Sequence, residues 1–401
     1  MRYSTQKLKK ISVINTGKLD SNAAVENGAY PFFTCDPQTL RINKWAYDTE
    51  AVLLAGNNAS GNYTAKYYRG KFNAYQRTYI IETADSERLS VRFLCYAINQ
   101  QLRLLKTMSS GSTTKFLTIR MLHNLDIPCP EIEVQDRIVN ILGTIDDLIE
   151  NNQKQIKLLE EAAQRLYKEW FVDLRFPGHE HTAIVDGVPE GWKRNNIGDY
   201  ISYEIGGGWG NEEISNNYDN EAYVIRGTDI YGITHGELKN IPFRYHTMSN
   251  LKSRILMEND IVFEVSGGSR TEGVARTVLI TNNMLQYFQK PVMCASFCKL
   301  IRPKNNNISQ YLFQHFKYLR NEKITEKYDK RSASSIVNYR WKDFLVQEVL
   351  LLPSAEILDK YNIIANLLYN KIVNCSIQIS ELRIARDRLL PKLMSGEIIK
   401  C

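Results

Sequence analysis

A long amphipathic helix pattern occurs twice in this chain, 223 positions apart, and each copy is entered through a proline. From Pro130 the first copy places Ile138, Leu142, Ile145, Ile149, Ile156, Leu159, Ala163, Leu166 and Trp170 at alternating steps of four and three, interrupted only by Asn152. The same offset carries these positions onto Tyr361, Ala365, Leu368, Ile372, Ile379, Leu382, Arg386, Leu389 and Leu393, with Cys375 opposite Asn152 and Pro353 opposite Pro130. Such a heptad seam needs an apolar partner along its length, and each copy supplies one for the other, so an antiparallel pair is expected. Arg386 alone breaks the seam, as the cap of the bundle end or a contact for a partner. Solenoid repeats recur every ~20–50 residues, so a repeat at this distance is instead a duplicated module of globular region plus helix.

The globular halves carry a fainter copy of the duplication. The run Ala29–Asp36 aligns with Ala222–Asp229, and Phe116–Arg120 aligns with Ile336–Arg340. The expected organisation is an α+β chain: a first domain at 1–130, a central spacer helix at 131–175, a linker at 176–192, a second domain at 193–353 and a C-terminal spacer helix at 354–401. In both domains mixed or antiparallel strands are expected with short helices. A chain of 401 residues exceeds what one core usually serves, and each half is long enough to bury its own. No stretch reaches the apolar length that spans a bilayer, and the first residues carry no apolar signal core, so a cytoplasmic protein without a membrane partner is expected. Seven scattered cysteines form no CxxC pair or metal-ligand spacing and read as reduced thiols. Cys294 and Cys298, four apart in one strand-like run, read as small buried residues on a shared face.

Charge is unevenly placed. Glu131–Asp173 holds five basic and ten acidic residues, and Ser354 onwards holds seven basic and five acidic, so the chain's net +7 leaves +10 on the globular regions and linker. Positive globular units beside an acidic spacer suit a polyanionic partner.

In both halves a strand runs into a polar, glycine-rich loop and then another strand: Ala51–Ala55, Gly56–Tyr63 and Gln76–Ile81 in the first, Asp260–Val265, Ser266–Gly273 and Val274–Ile280 in the second. A short helix is expected at 90–105 and another at 308–319. Within and just beyond the first loop lie Asn57, Asn58, Asn62, Tyr63, Lys66, Arg69 and Lys71, followed by Gln76 and Arg77; the second domain offers Arg226, Thr228, Ser266, Arg270, Thr271 and Arg276. Amides pair bidentately with adenine, guanidinium groups with guanine, and lysines and hydroxyls with phosphates, so this inventory can read DNA. A second basic and hydroxylic cluster precedes the helix-entry strand in each half, with Ser110, Ser112, Thr113 and Lys115 in one and Lys330, Arg331, Ser332 and Ser334 in the other. A solvated loop explains either cluster alone; its recurrence at one place in both modules favours function.

Several runs together resemble the specificity subunit of type I restriction-modification systems. They are Gly28–Phe33, Gly70–Tyr79, the helix end Trp170–Pro177, the re-entry Gly187–Trp192 and the closing Leu393–Ile398. The resemblance covers essentially the whole chain. It implies two target recognition domains, each reading half of a bipartite, asymmetric site in double-stranded DNA, held apart by the two helices. It also implies two docked modification subunits that use S-adenosylmethionine, with restriction subunits as further partners, and a chain that binds no cofactor or metal. DNA-contacting residues are carried over by loop position only.

Other readings fare worse. A methyltransferase needs an Asn/Asp-Pro-Pro-aromatic motif, and Asp36-Pro37-Gln38 fails it. Asp229, Glu237 and Lys239 have the loose shape of a metal-dependent nuclease triad, but short acid-x-Lys matches are common by chance. Gly206–Gly210 reads as a turn, since no helical pattern follows it to cradle a nucleotide. A coiled-coil scaffold explains the helices but not the charge on the globular units. A non-catalytic chain is therefore expected.

Overall fold

The protein is described by a computed structural model covering residues 3–109, 114–268, 273–331 and 336–398. Its two compact units are Met1–Asp147 with Arg383–Cys401, and Leu148–Leu382. The two seams form the long helices Ile132–Tyr167 and Ala355–Met394, and each helix contributes to both units. Among the described residues no helix is long and apolar enough to cross a membrane.

In the first unit β1 (Thr5–Lys7) pairs with β10 (Asp126–Pro128), and β6 (Asn57–Asn58) with β9 (Lys115–Phe116). The six-stranded sheet takes β2 (Ser12–Thr16), β3 (Tyr30–Phe33), β4 (Leu40–Ile42), β5 (Tyr47–Ala55), β7 (Ala65–Ala74) and β8 (Thr78–Thr83) in the order β2-β8-β5-β7-β3-β4. Central β5 is buried on both faces, which is why it reads as an unbroken apolar run. Its Val52 and Leu54 meet the main core, while Ala51 and Leu53 meet a smaller cluster with Phe33, Phe72 and Ile80. The helix Val91–Met108, capped by Ser90, drives Phe93, Leu94 and Ile98 into the main core, where Ile138 and Leu142 of one long helix meet Leu393 and Met394 of the other. Asp146 gathers three elements: Tyr96 donates to it at 2.6 Å and Arg386 at 3.0 Å. Arg386 thus fills its seam position by pairing with a carboxylate on the opposite helix.

The second unit repeats this strand plan. The hairpin β11 (Ile184–Val185) and β12 (Val188–Pro189) lies within the expected linker, and β13 (Lys193–Asn196) pairs with β24 (Val349–Leu352) as β1 does with β10. One sheet orders β14 (Ile201–Gly206), β21 (Cys298–Pro303), β17 (Ile261–Glu264) and β19 (Thr277–Leu279) as β14-β21-β17-β19. A second orders β16 (Phe243–His246), β15 (Asn220–Ile225) and β20 (Val292–Cys294) as β16-β15-β20. The last places β23 (Val337–Tyr339) between β18 (Ser266–Gly267) and β22 (Asp329–Arg331). In the first unit β7 pairs antiparallel with β5 and its end pairs parallel with β3. The second unit divides the same two tasks between β19 and β20, with the helix Asn282–Phe288 inserted between them. That insertion accounts for part of the greater length of the second domain.

Two local expectations change. Cys294 ends β20 and Cys298 begins β21, so they flank a turn instead of sharing one strand; both are buried, unpaired thiols. The residues placed just beyond the first loop, Lys66, Arg69 and Lys71, lie on the ten-residue strand β7. Its charged side chains fall on both faces, Lys66 on one and Arg69 and Lys71 on the other, so no two-residue alternation marks the strand.

Within the second unit the helices run antiparallel: Cys375 lies against Gln155, and Tyr361 packs on Trp170 and Phe171. A π-helical turn at Lys168–Val172 ends the first long helix and brings consecutive Trp170 and Phe171 into the core beside Tyr311 and Trp192. Of the seam residues, Ile138, Leu142, Ile149, Ile156, Ile372 and Ile379 are buried, while Ile145, Leu159, Leu166, Leu368, Leu382 and Leu389 are half-buried.

Tyr167 and His315 share a buried 2.7 Å hydrogen bond, and burial pulls the imidazole down to about 3. A histidine in the unfolded chain titrates near ~6.5, so the neutral buried ring contributes its full stability above that pH. The contribution falls by up to ~1.4 kcal/mol per pH unit as acid protonates the unfolded state. Urea denaturation of the full chain should give a lower midpoint at pH 5 than at pH 7. His315→Gln should narrow that gap, and an unchanged gap would show that His315 does not set it.

Candidate nucleic-acid interface

A cavity of about 430 Å³ opens where β3 and β5 end in the first unit, lined by Ser21, Thr34, Cys35, Asp36, Asn57, Asn58 and Tyr75 among others. The two asparagines differ in role. Asn58 Oδ1 accepts from the Ser60 amide at 2.9 Å, the Ser60 hydroxyl at 2.8 Å and the Asn62 amide at 3.1 Å, so it folds its own loop. The Asn57 side chain makes no hydrogen bond among the described residues and lines the cavity. Lys115 is the ladder partner of Asn58, and Lys106 donates to Asn62 Oδ1 at 2.7 Å. Cys35 donates to the Arg77 carbonyl at 3.5 Å, and burial pushes its thiol up, so it is a small wall group more than a nucleophile.

Other expected first-domain residues scatter. Lys66 donates to Thr39 Oγ1 at 3.1 Å and to the carbonyl of cavity-lining Asp36 at 3.4 Å, and burial pulls its ammonium down. Gln76 donates to Asp20 at 2.6 Å, and Arg77 is exposed. Arg69 stands opposite Glu50 on β7, and Lys71 lies 4.8 Å over the Trp45 ring, neither lining the cavity. Tyr63 is packed in the core with its hydroxyl enclosed, which removes it from the surface set. Ser110, Ser112 and Thr113 lie outside the described residues.

The second unit builds its counterpart at the same topological place, beyond the ends of β15 and β17. This cavity, of about 570 Å³, is lined by Arg226, Thr228, Ser266 and Arg276, which the sequence picks out, and by Trp209, Glu264 and Phe297, which it does not. Arg226 grips Asp229 through Nε at 2.9 Å and Nη2 at 2.7 Å across a tight turn. Arg276 grips buried Glu264 the same way, at 2.8 and 2.5 Å. Gly227 and Gly267 border that carboxylate; a Cβ on Gly227 would meet Glu264 Oε1 at 2.2 Å and displace it from Arg276. Ser266 is buried and donates to Asn338 Oδ1 at 2.9 Å, and Lys330 pairs with Asn338 from the other side of the ladder. Arg331 is exposed on β22. Arg270, Thr271, Ser332 and Ser334 lie outside the described residues.

Both cavities therefore lie between the turn after the strand that pairs in parallel (β3, β15) and the short strand after the central one (β6, β18). The exposed rings of Trp209 and Phe297 and the carboxylate of Glu264 escaped the sequence reading, which weighed Asp229 only as part of a nuclease-like grouping. Glu264 did leave a signal, as the one charge within Ile261-Val262-Phe263-Glu264-Val265. Asp229 gives both oxygens to Arg226, so it does not serve the nuclease-like grouping with Glu237 and Lys239.

Residues 2–161 match the family described as "Type I restriction modification DNA specificity domain". The chain is 35% identical over 163 residues to the type I restriction enzyme EcoDI specificity subunit of Escherichia coli, a match covering 41% of this chain and 35% of that one. It is 27% identical over 299 residues to the MjaIX specificity subunit of Methanocaldococcus jannaschii, covering 73% and 65% of the two chains. The matches thus span less than two thirds of each relative's length. In fold it is similar to the crystal structure of the type I restriction-modification S subunit from M. genitalium, with a TM-score of 0.63 at 16% identity, over 98% of this chain and 96% of that one.

Proposed function

We propose that this chain, whose residues 2–161 match the type I restriction modification DNA specificity domain, is the non-catalytic subunit that chooses the DNA sequence. Each domain reads one half of a bipartite, asymmetric site, and the paired helices set the distance between the readers. The observation that carries this reading is the duplicated cavity. One strand plan, used twice, presents Asn57 at one site and Arg226 at the other, so a single architecture offers two different base-reading chemistries.

Modification subunits, two per specificity chain, would dock on the helices and bring S-adenosylmethionine and the methyl-transfer chemistry, with restriction subunits joining them. An apolar stripe supports docking: Ile363, Ile364 and Leu367 stand 74%, 41% and 71% exposed on the C-terminal helix. The test is to reconstitute the full chain with its modification subunits and map the methylated positions on random-sequence duplexes. A split recognition sequence is expected, its halves about one helical turn apart. Ile363→Glu with Leu367→Glu should abolish co-purification of the modification subunits while leaving the chain folded. A single uninterrupted target, or methyl transfer by the chain alone, would overturn the reading.

A further inference from the structure

The second cavity holds two arginine–carboxylate pairs that are not equivalent. Arg276 is 18% exposed over a carboxylate that is 2% exposed, and it closes the cavity floor. Arg226 is 42% exposed over Asp229, which is 8% exposed, so its guanidinium faces outward on a fixed base. Asp229 also accepts the Arg226 backbone N–H at 2.9 Å, so the carboxylate is held by the main chain and side chain of the residue that it orients. Only Gly227 and Thr228 separate them, and the 3-10 turn fixes both ends. Nε and one Nη2 hydrogen are spent on Asp229. The hydrogens left on Nη1 and Nη2 point in parallel from the far edge of the same plane, a fork that fits two acceptors side by side.

We infer that Arg226, oriented by Asp229, reads a guanine in the half-site of the second domain, donating from that fork to O6 and N7. This rests on the proposed DNA-reading role and narrows it. Guanine is the base that presents two adjacent acceptors in the major groove, and a guanidinium locked in plane loses little entropy on binding it. Exposed Phe297 borders the same cavity and offers an apolar face to neighbouring bases. The first domain cannot copy this contact, because buried Phe33 is the residue that aligns with Arg226.

The experiment uses the full chain with its modification subunits, on duplexes carrying the mapped target, with each second-half guanine replaced in turn by 7-deazaguanine, which lacks the N7 acceptor. One position should weaken wild-type binding by about 10- to 100-fold. Arg226→Ala should bind the native duplex about as poorly and become indifferent to that replacement. Arg226→Lys and Asp229→Asn should lose most of the discrimination there, with preference at the first half-site kept as the sign of a folded complex. The inference is overturned if no second-half guanine is sensitive, or if Arg226→Ala weakens all sequences alike with a shallower salt dependence, the mark of a phosphate contact. If wild type shows no sequence preference at all, the DNA-reading role itself fails. If it shows preference indifferent to Arg226, only the guanine assignment fails.

Discussion

Ile156→Asp should lower the stability of the chain by roughly 5 kcal/mol or more, read as a fall in the urea midpoint. Ile156 and Ile379 both have zero exposure on the paired helices. Removing a buried isoleucine side chain costs ~2–5 kcal/mol through lost transfer and a residual cavity. A carboxylate placed there adds desolvation that nothing nearby repays. Leu158, two residues on, is 64% exposed, so Leu158→Asp should stay within about 0.5 kcal/mol of wild type. Equal effects at the two positions would show that the seam is not the buried face.

Glu264→Ala should be nearly as severe, at about 3–5 kcal/mol, because it breaks an ion pair by deleting one buried partner. It removes the carboxylate that takes two hydrogen bonds from Arg276 and leaves a void between Gly227 and Gly267. Stability and second half-site discrimination should fall together, with first half-site preference retained where the protein remains folded. A stable variant with intact discrimination would reduce the pair to a surface contact. Glu264→Gln keeps the shape and two acceptor lone pairs, so it should recover part of the loss.

What could be read from the sequence follows from how far apart the interacting residues lie in it. The seam was legible because a 3.5-residue period is local, and the strands of β5 and β17 because apolar runs are local. The role of Arg386 was not, since its partner Asp146 lies 240 residues away. The strand over 65–74 was not legible because its charged residues fall on both faces and give no two-residue alternation. Of the candidate interface, Arg226, Thr228, Ser266 and Arg276 were found by residue type and converge on one cavity. Tyr63, Arg69 and Lys71 have the same chemistry but do not line the first cavity, which the pleat of β7 and the packing of the core decide.

The first unit is closed by residues from both sides of the second. Leu393 and Met394 sit in one core with Leu142, about 250 positions earlier. During synthesis, therefore, the first unit emerges with part of its core uncovered and must wait for the whole second unit before that surface is sealed. A ribosome stalled or a message cut anywhere in the second unit yields a first unit with an open apolar face, which is a substrate for proteases. The chain order of the two helices thus ties the survival of one unit to the completion of the other.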